Sequence, residues 1–84
     1  MYLAVINGLS YDIYAVGKTE PECLGRILLA FRLYVKQYGR SVEEWIECCG
    51  EDFAAYDYDL LRFLQEYYGC GLYDISKGYA FGWE

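Results

Sequence analysis

Histidine is absent from this 84-residue chain, and proline and methionine each occur once. Without an imidazole there is no His-based general base, no Ser-His or Cys-His nucleophile pair, and no mixed Cys/His zinc site. A glycine-rich phosphate loop is also missing, because Gly17-Lys18-Thr19 lacks the earlier glycine of that motif. We therefore expect no catalytic residues and a protein that is not an enzyme.

Metal-binding and disulfide patterns are missing as well. The four cysteines form no Cys-x-x-Cys pair, and Cys48 and Cys49 are adjacent, which favours reduced thiols in a cytoplasmic protein. Asp57 and Asp59 have the spacing of the first two ligands of a calcium loop, but no loop glycine and no glutamate at the twelfth position follow. We expect neither a metal nor a cofactor.

Long apolar runs and an excess of basic residues are also lacking. No stretch approaches the ~20 apolar residues of a membrane span, and the opening MYLAVING has no basic segment typical of a signal peptide. Seven Lys and Arg against 13 Asp and Glu give a net charge of −6 at pH 7. This charge argues against direct binding of nucleic acid or of an anionic membrane.

Apolar and aromatic residues, by contrast, are abundant. Hydrophobic residues make up 56% of the chain and aromatic residues 20%, with 11 tyrosines among them. Each buried aromatic ring removes roughly 150–250 Å² from water, so a short chain of this composition has enough apolar surface for a core. We expect one globular domain over residues 1–84.

Turn signals at both ends of the chain predict two β-hairpins. Asn7-Gly8 favours a two-residue type I′ turn, and Ser76-Lys77-Gly78 favours a three-residue loop with Gly78 left-handed. The first register pairs Ile6 with Leu9, Ala4 with Tyr11 and Tyr2 with Ile13, all on one apolar face. The second pairs Ile75 with Tyr79 and Tyr73 with Phe81.

Between the hairpins, capping signals predict three helices. The first begins after Thr19, with Glu22 completing a capping box, and its apolar stripe from Leu24 to Tyr38 ends at Gly39. The other two run from Ser41 to about Cys49, and over roughly 58–68 after an Asp57 or Asp59 cap. The predicted fold is α+β, ββ-ααα-ββ, with both hairpins in one small antiparallel sheet packed against the helices.

The charges are separated along the chain. Residues 23–40 carry four positive charges and no negative one, whereas residues 41–61 carry seven carboxylates and no Lys or Arg. One interpretation is that both segments are solvated helix faces, with some pairing of Arg32 or Lys36 to the acidic segment. Another is that carboxylates ~5–6 Å apart along a helix imitate the phosphates of one nucleic-acid strand. The predicted partner-binding residues are Glu43, Glu44, Glu47, Glu51, Asp52, Tyr56, Asp57, Tyr58 and Asp59.

A small, acidic, aromatic chain without catalytic groups resembles the phage-encoded inhibitors of bacterial defence, such as anti-CRISPR proteins and nucleic-acid mimics. The resemblance is one of overall profile, with EEWIECCGEDFAAYDYD at 43–59 as its local support. It implies a protein-binding inhibitor in the cytoplasm of a bacterial host. Its partner would be a defence or nucleic-acid-processing complex with a basic nucleic-acid-binding site, which the acidic and aromatic surface would block.

Two further hypotheses come from other functional classes. Sheet tyrosines with Arg26 or Arg62 would bind a small nucleotide-like molecule by stacking and charge. Alternatively, an exposed aromatic sheet face would form a homodimer in a structural or regulatory module. The residues of that face are Tyr73, Tyr79, Phe81 and Trp83.

Overall fold

The computed structural model, which describes residues 1–78, has an α+β fold with one three-stranded antiparallel sheet in the order β2-β1-β3. Three α-helices and a short 3-10 helix separate the second strand from the third, which confirms the predicted ββ-ααα order and the α+β class. The last strand of the predicted C-terminal hairpin, at 79–83, lies outside the described residues. The elements are β1 (Tyr2–Asn7), β2 (Ile13–Gly17), α1 (Glu20–Lys36), α2 (Val42–Cys48), the 3-10 helix (Phe53–Tyr56), α3 (Leu60–Tyr67) and β3 (Gly69–Asp74).

The N-terminal hairpin has a longer connection than the predicted two-residue turn. Ile6 pairs with Ile13 instead of Leu9, so the predicted register is wrong by four residues along the second strand. The reason is tertiary: the Ser10 backbone N–H donates to the Tyr34 hydroxyl at 3.2 Å, and the two hydroxyls lie 2.7 Å apart. An even shift preserves the two-residue period of a strand, so Ala4, Ile6 and Ile13 still face the core.

The first strand of the predicted C-terminal hairpin joins the sheet as β3. β3 lies beside β1, with Ile6 opposite Cys70 and Ala4 opposite Leu72. Gly78 has φ +86°, and its N–H donates to the Ile75 carbonyl at 2.9 Å. The predicted single sheet and the predicted left-handed glycine are both confirmed.

The N-terminal ends of α1 and α2 follow the predicted capping signals. Ser41 and Glu44 form a complete capping box, with reciprocal bonds of 3.2 and 3.0 Å. The Thr19 hydroxyl accepts the Glu22 backbone N–H at 3.3 Å, but the Glu22 carboxylate bonds to the backbone N–H of Lys18 instead of that of Thr19. The predicted cap at Thr19 is therefore confirmed. The predicted capping box is not formed as expected, because the Glu22 carboxylate accepts from the residue before the cap.

α3 begins two residues later than its predicted start near 58. Asp59 is the cap, and its carboxylate accepts the Arg62 backbone N–H at 3.2 Å. Asp57 and Tyr58 cannot belong to the helix because both have left-handed backbone angles, φ 55° and 57°. The choice left open between Asp57 and Asp59 is thus resolved in favour of Asp59.

The core lies between the sheet and the helices. In α1 the predicted stripe is buried at Ile27, Phe31, Tyr34 and Val35, whereas Tyr38 at its end is 49% exposed. Alternating residues of β1 face this core, which places the helices on one side of the sheet. The buried residues are Ala4, Ile6, Ile13, Cys23, Ile27, Phe31, Tyr34, Val35, Ile46, Leu60, Phe63 and Leu64.

Candidate functional site

The acidic face of α2 carries three exposed glutamates, Glu43, Glu44 and Glu47. Glu43 and Glu47 are one helical turn apart, so their side chains are neighbours on the same side of the helix. The Glu44 carboxylate already accepts hydrogen bonds at the N-terminus of α2. These bonds, from the backbone N–H and the hydroxyl of Ser41, hold the pKa of Glu44 below its usual value. Two carboxylates of α2 therefore remain open to a partner.

The turn after α2 directs Glu51 towards the 3-10 helix. Gly50 is left-handed at φ +83°, its N–H donates to the Glu47 carbonyl, and the Glu51 N–H donates to the Ile46 carbonyl, at 3.0 and 3.4 Å. This is the Schellman pattern that ends a helix. Burial first, and then the negative charge of Glu51, raise the pKa of Tyr56. The negative charge of Glu51 thus acts on the Tyr56 hydroxyl.

A strained turn follows the 3-10 helix. Asp57 and Tyr58 are consecutive left-handed residues, a conformation that only a few per cent of non-glycine residues adopt. Their N–H groups donate to the Ala54 and Phe53 carbonyls at 3.0 and 3.2 Å, and the Tyr58 ring packs edge-on against Phe53 at 5.4 Å. The Tyr58 side chain, 71% exposed, is thus presented to solvent by a fixed backbone.

The remaining aspartates are partly engaged in local structure. Asp52 accepts the Ala54 N–H at 3.0 Å and Asp59 caps α3. Asp57 lies 3.3 Å from Arg62, which also contacts Glu66 at 3.4 Å. Among the seven carboxylates of residues 43–59, those that neither cap a helix nor pair with a cation of residues 1–78 are Glu43, Glu47 and Glu51.

Two of the predicted residues, Glu43 and Tyr58, meet at one pocket. A pocket of about 390 Å³ brings Glu43 of α2 beside Tyr58, and its lining residues are Arg32, Val42, Glu43, Phe53, Tyr58 and Leu60. We call Glu43, Glu47, Glu51, Asp57 and Tyr58 the acidic surface. Within residues 1–78, no ion pair joins Arg32 or Lys36 to it, so the predicted pairing of the basic and acidic segments is not found there.

The residues predicted for small-ligand binding and for homodimer formation do not belong to the acidic surface. Arg26 donates to the Val16 carbonyl at 2.9 Å and pairs with Glu22 at 3.1 Å, and Arg62 pairs with Asp57 and Glu66. Each guanidinium is therefore engaged with neighbouring groups of residues 1–78. Tyr73 is half-buried on the sheet, and the other members of the predicted dimer face, Tyr79, Phe81 and Trp83, lie outside the described residues.

An aromatic pocket that the sequence did not predict lies where the ends of the three helices meet. It has a volume of about 410 Å³, and its lining residues are Tyr38, Arg40, Trp45, Cys48, Cys49 and Tyr68. The Trp45 Nε1–H donates to the Tyr68 hydroxyl at 3.1 Å, and the Cys49 thiol lies 3.6 Å from that hydroxyl. A local signal did exist, because only Gly39, Arg40 and the α2 cap separate Tyr38 from the helix that carries Trp45.

The Tyr68 hydroxyl in this pocket gives a pH-dependent prediction. Burial, reinforced by the Cys49 contact, raises the pKa of Tyr68 from 10.0 to about 12. The folded state thus keeps a proton that the unfolded state releases, so this contribution to stability is complete below pH 10 and is lost as the pH rises to 12. We expect the urea midpoint to fall across that interval more steeply for the wild type than for Tyr68→Phe. Parallel slopes would contradict this prediction.

No family model, curated protein or solved structure matches the chain. Among residues 1–78, no helix is both long and apolar enough to cross a membrane. The same part of the chain contains no group of three or more Cys, Asp or Glu side chains placed to hold a metal ion.

Proposed function

We propose that this protein is a non-catalytic, protein-binding inhibitor whose acidic surface occupies a basic nucleic-acid-binding site on its partner. The observation that carries the proposal is the exposure of three carboxylates, Glu43, Glu47 and Glu51, without a paired cation in residues 1–78. They lie in the same segment as Tyr58, an exposed ring on a rigid turn.

Electrostatics explains why such a surface would compete with nucleic acid. A groove that binds a phosphate backbone is lined with Lys and Arg, and its affinity for a polyanion falls steeply with salt. Glu43 and Glu47, one helical turn apart, have Cβ atoms ~5–6 Å from each other and so present two neighbouring negative charges. Complementary potentials of this kind increase the association rate and exclude partners of the wrong charge.

Tyr58 supplies the contact that charge alone cannot provide. Tyrosine, tryptophan and arginine dominate the binding energy of protein interfaces, because a large ring fills a pocket on the partner at a small entropic cost. The left-handed backbone of Asp57 and Tyr58 is a strained conformation, and strain of this kind concentrates at binding and catalytic sites. An exposed ring held in this way supports recognition by a partner.

The partner that we propose is a defence or nucleic-acid-processing complex in the cytoplasm of a bacterial host. The chain's profile, which resembles the anti-CRISPR and nucleic-acid-mimic inhibitors, supports this choice. The acidic surface would bind the protein groove directly, and neither nucleic acid nor a membrane is the ligand in this proposal.

The test is affinity capture from bacterial lysate with identification by mass spectrometry and competition by DNA or RNA. We expect a nucleic-acid-binding complex that the competitor displaces and that dissociates between about 50 and 200 mM salt. Glu43→Lys/Glu47→Lys should weaken binding about tenfold or more, which corresponds to about 1.4 kcal/mol. Glu44 and Asp59 are left unchanged because both cap helices, and their loss would also lower stability.

A matched control separates the position of the charges from the net charge. Asp12→Lys/Glu20→Lys also adds four charge units, from −6 to −2, at exposed positions outside the acidic surface, and it should bind like the wild type. Arg62→Gln should bind more tightly at low salt because it releases Asp57 and Glu66 from their shared cation. Equal losses in both double-lysine variants, or capture that competing nucleic acid leaves intact, would refute the proposal.

A further inference from the structure

The aromatic pocket is separate from the acidic surface, although both include α2. Glu43 and Glu47 lie one turn apart on one side of the helix, whereas Trp45 and Cys48, three residues apart, line the pocket on another. The pocket volume of about 410 Å³ falls at the lower end of the ~300–1,000 Å³ typical of small-molecule sites. The volume suits a ligand of one or two fused rings.

The aromatic side of the pocket, formed by Tyr38 and Trp45, is preorganised. The Trp45 ring packs against Tyr34 and Tyr38, with centroids 5.6 and 5.5 Å away. Its only hydrogen-bond donor, Nε1–H, is occupied by the Tyr68 hydroxyl at 3.1 Å. Tyr34 in turn bonds to Ser10 in the β1–β2 connection. A wall fixed on several sides loses little conformational freedom on binding a planar ring.

Arg40 provides the charge of the pocket. It lies between α1 and α2, it is exposed, and its side-chain contact is the Sγ of Cys48. No carboxylate forms an ion pair with it within residues 1–78. The nearby Glu44 carboxylate is bonded to Ser41. A guanidinium has five donors in a planar fork that matches a carboxylate or a phosphate, so most of its binding capacity is unused.

We propose that the aromatic pocket binds a small planar anion, with the ring of the ligand against Tyr38 and Trp45 and its carboxylate or phosphate on the Arg40 guanidinium. A cationic ligand is disfavoured by Arg40, and a dinucleotide exceeds the volume. The Tyr68 hydroxyl remains protonated and uncharged at neutral pH, so it does not repel an anion. This site is independent of the proposed inhibitor function and uses none of the residues of the acidic surface.

The experiment measures ligand-induced quenching of tryptophan fluorescence in a Trp83→Phe background, which leaves Trp45 as the only tryptophan. Two anion classes are each compared with an uncharged counterpart: 2-naphthoate with 2-naphthamide, and adenosine 5′-monophosphate with adenosine. We expect saturable binding of at least one anion, about tenfold or more tighter than its neutral counterpart. The anion that binds identifies the preferred headgroup as a carboxylate or a phosphate.

Variants of the same protein assign the interaction to Arg40. Arg40→Gln should remove the preference for the charged ligand, whereas Arg40→Lys should retain part of it because the charge is kept and the planar fork is lost. Arg62→Gln is the matched control and should bind like the parent, since Arg62 pairs with Asp57 and Glu66. Equal affinity for acid and amide, full binding by Arg40→Gln, or no binding of either anion at millimolar concentration would overturn the proposal.

Discussion

Replacing Phe63 with alanine is expected to lower the free energy of unfolding by about 3–5 kcal/mol. The Phe63 side chain is fully buried and packs between the rings of Tyr56, Tyr67 and Tyr68, with centroids 5.3, 5.2 and 6.0 Å away. Alanine would leave a cavity that the surrounding rings cannot fill without leaving their own contacts. A domain of this length has a stability of roughly 4–13 kcal/mol at 0.05–0.15 kcal/mol per residue, so the loss is a large fraction of the total.

Urea unfolding monitored by circular dichroism measures this effect, with Phe63→Leu as the control. Leucine keeps most of the volume and all of the apolar character, so its cost should stay below about 1.5 kcal/mol. Tyr56 neighbours Glu51 and Tyr68 lines the aromatic pocket, so Phe63→Ala should also weaken both proposed binding activities. A urea midpoint for the alanine variant equal to that of the leucine variant would show that Phe63 does not organise this cluster.

The second large effect is expected at Gly17, where β2 ends against α1. A Cβ atom there would lie 2.6 Å from the backbone nitrogen of Cys23 and 2.9 Å from its Cα. These are helix backbone atoms that cannot move aside as a flexible side chain would, so Gly17→Ala has to displace α1 from the sheet. Overpacking of this kind costs about 1–3 kcal/mol.

Gly25→Ala is the matched control because it makes the same chemical change on the open side of α1. Apart from the neighbouring backbone of α1, no atom of residues 1–78 lies within 4 Å of a Cβ at this position, and alanine is a better helix former than glycine by roughly 0.5–1 kcal/mol. Thermal unfolding should therefore show a lower melting temperature for Gly17→Ala and a higher one for Gly25→Ala. Two shifts of the same sign would mean that contact with Cys23 does not limit the first site.

The positions of the two proposed sites on α2 allow their functions to be tested separately. Variants of Glu43 and Glu47 leave every residue of the aromatic pocket unchanged, and variants of Arg40 leave the acidic surface unchanged. Failure of lysate capture would refute the inhibitor proposal alone. The ligand proposal would still be tested by the fluorescence titration of the aromatic pocket. Both sites nevertheless depend on the packing of α2, whose buried contact is Ile46.

Sequence information was sufficient wherever the decisive interaction is local. The caps at Thr19 and Ser41 and the left-handed Gly78 depend on neighbouring residues, so short-range patterns predicted them and narrowed the cap of α3 to Asp57 or Asp59. The apolar faces of β1 and α1 also followed from periodicity, because alternate strand residues and every third or fourth helix residue share a side. Together these signals predicted the α+β class and the single antiparallel sheet.

Tertiary structure decided the features that depend on residues distant in sequence. The pairing of Ile6 with Ile13 follows from the hydrogen bonds of Ser10 with Tyr34, a residue on a different element. The hydrophobic periodicity of the sequence does not predict such a hydrogen bond. The left-handed pair at Asp57 and Tyr58 was likewise unpredicted, because tyrosine rarely adopts that conformation and aspartate adopts it mostly as a single residue.

Sequence and tertiary structure also decided different features of the two candidate sites. The sequence by itself determined that seven carboxylates follow a basic segment, and that four aromatic residues are interspersed among them. Only the folded chain decided which of them remain open, because capping by Glu44, Asp52 and Asp59 and pairing of Asp57 with Arg62 depend on geometry. The aromatic pocket also required the fold, since the turn at Arg40 and the end of α3 bring Tyr38, Trp45 and Tyr68 together from three separate segments.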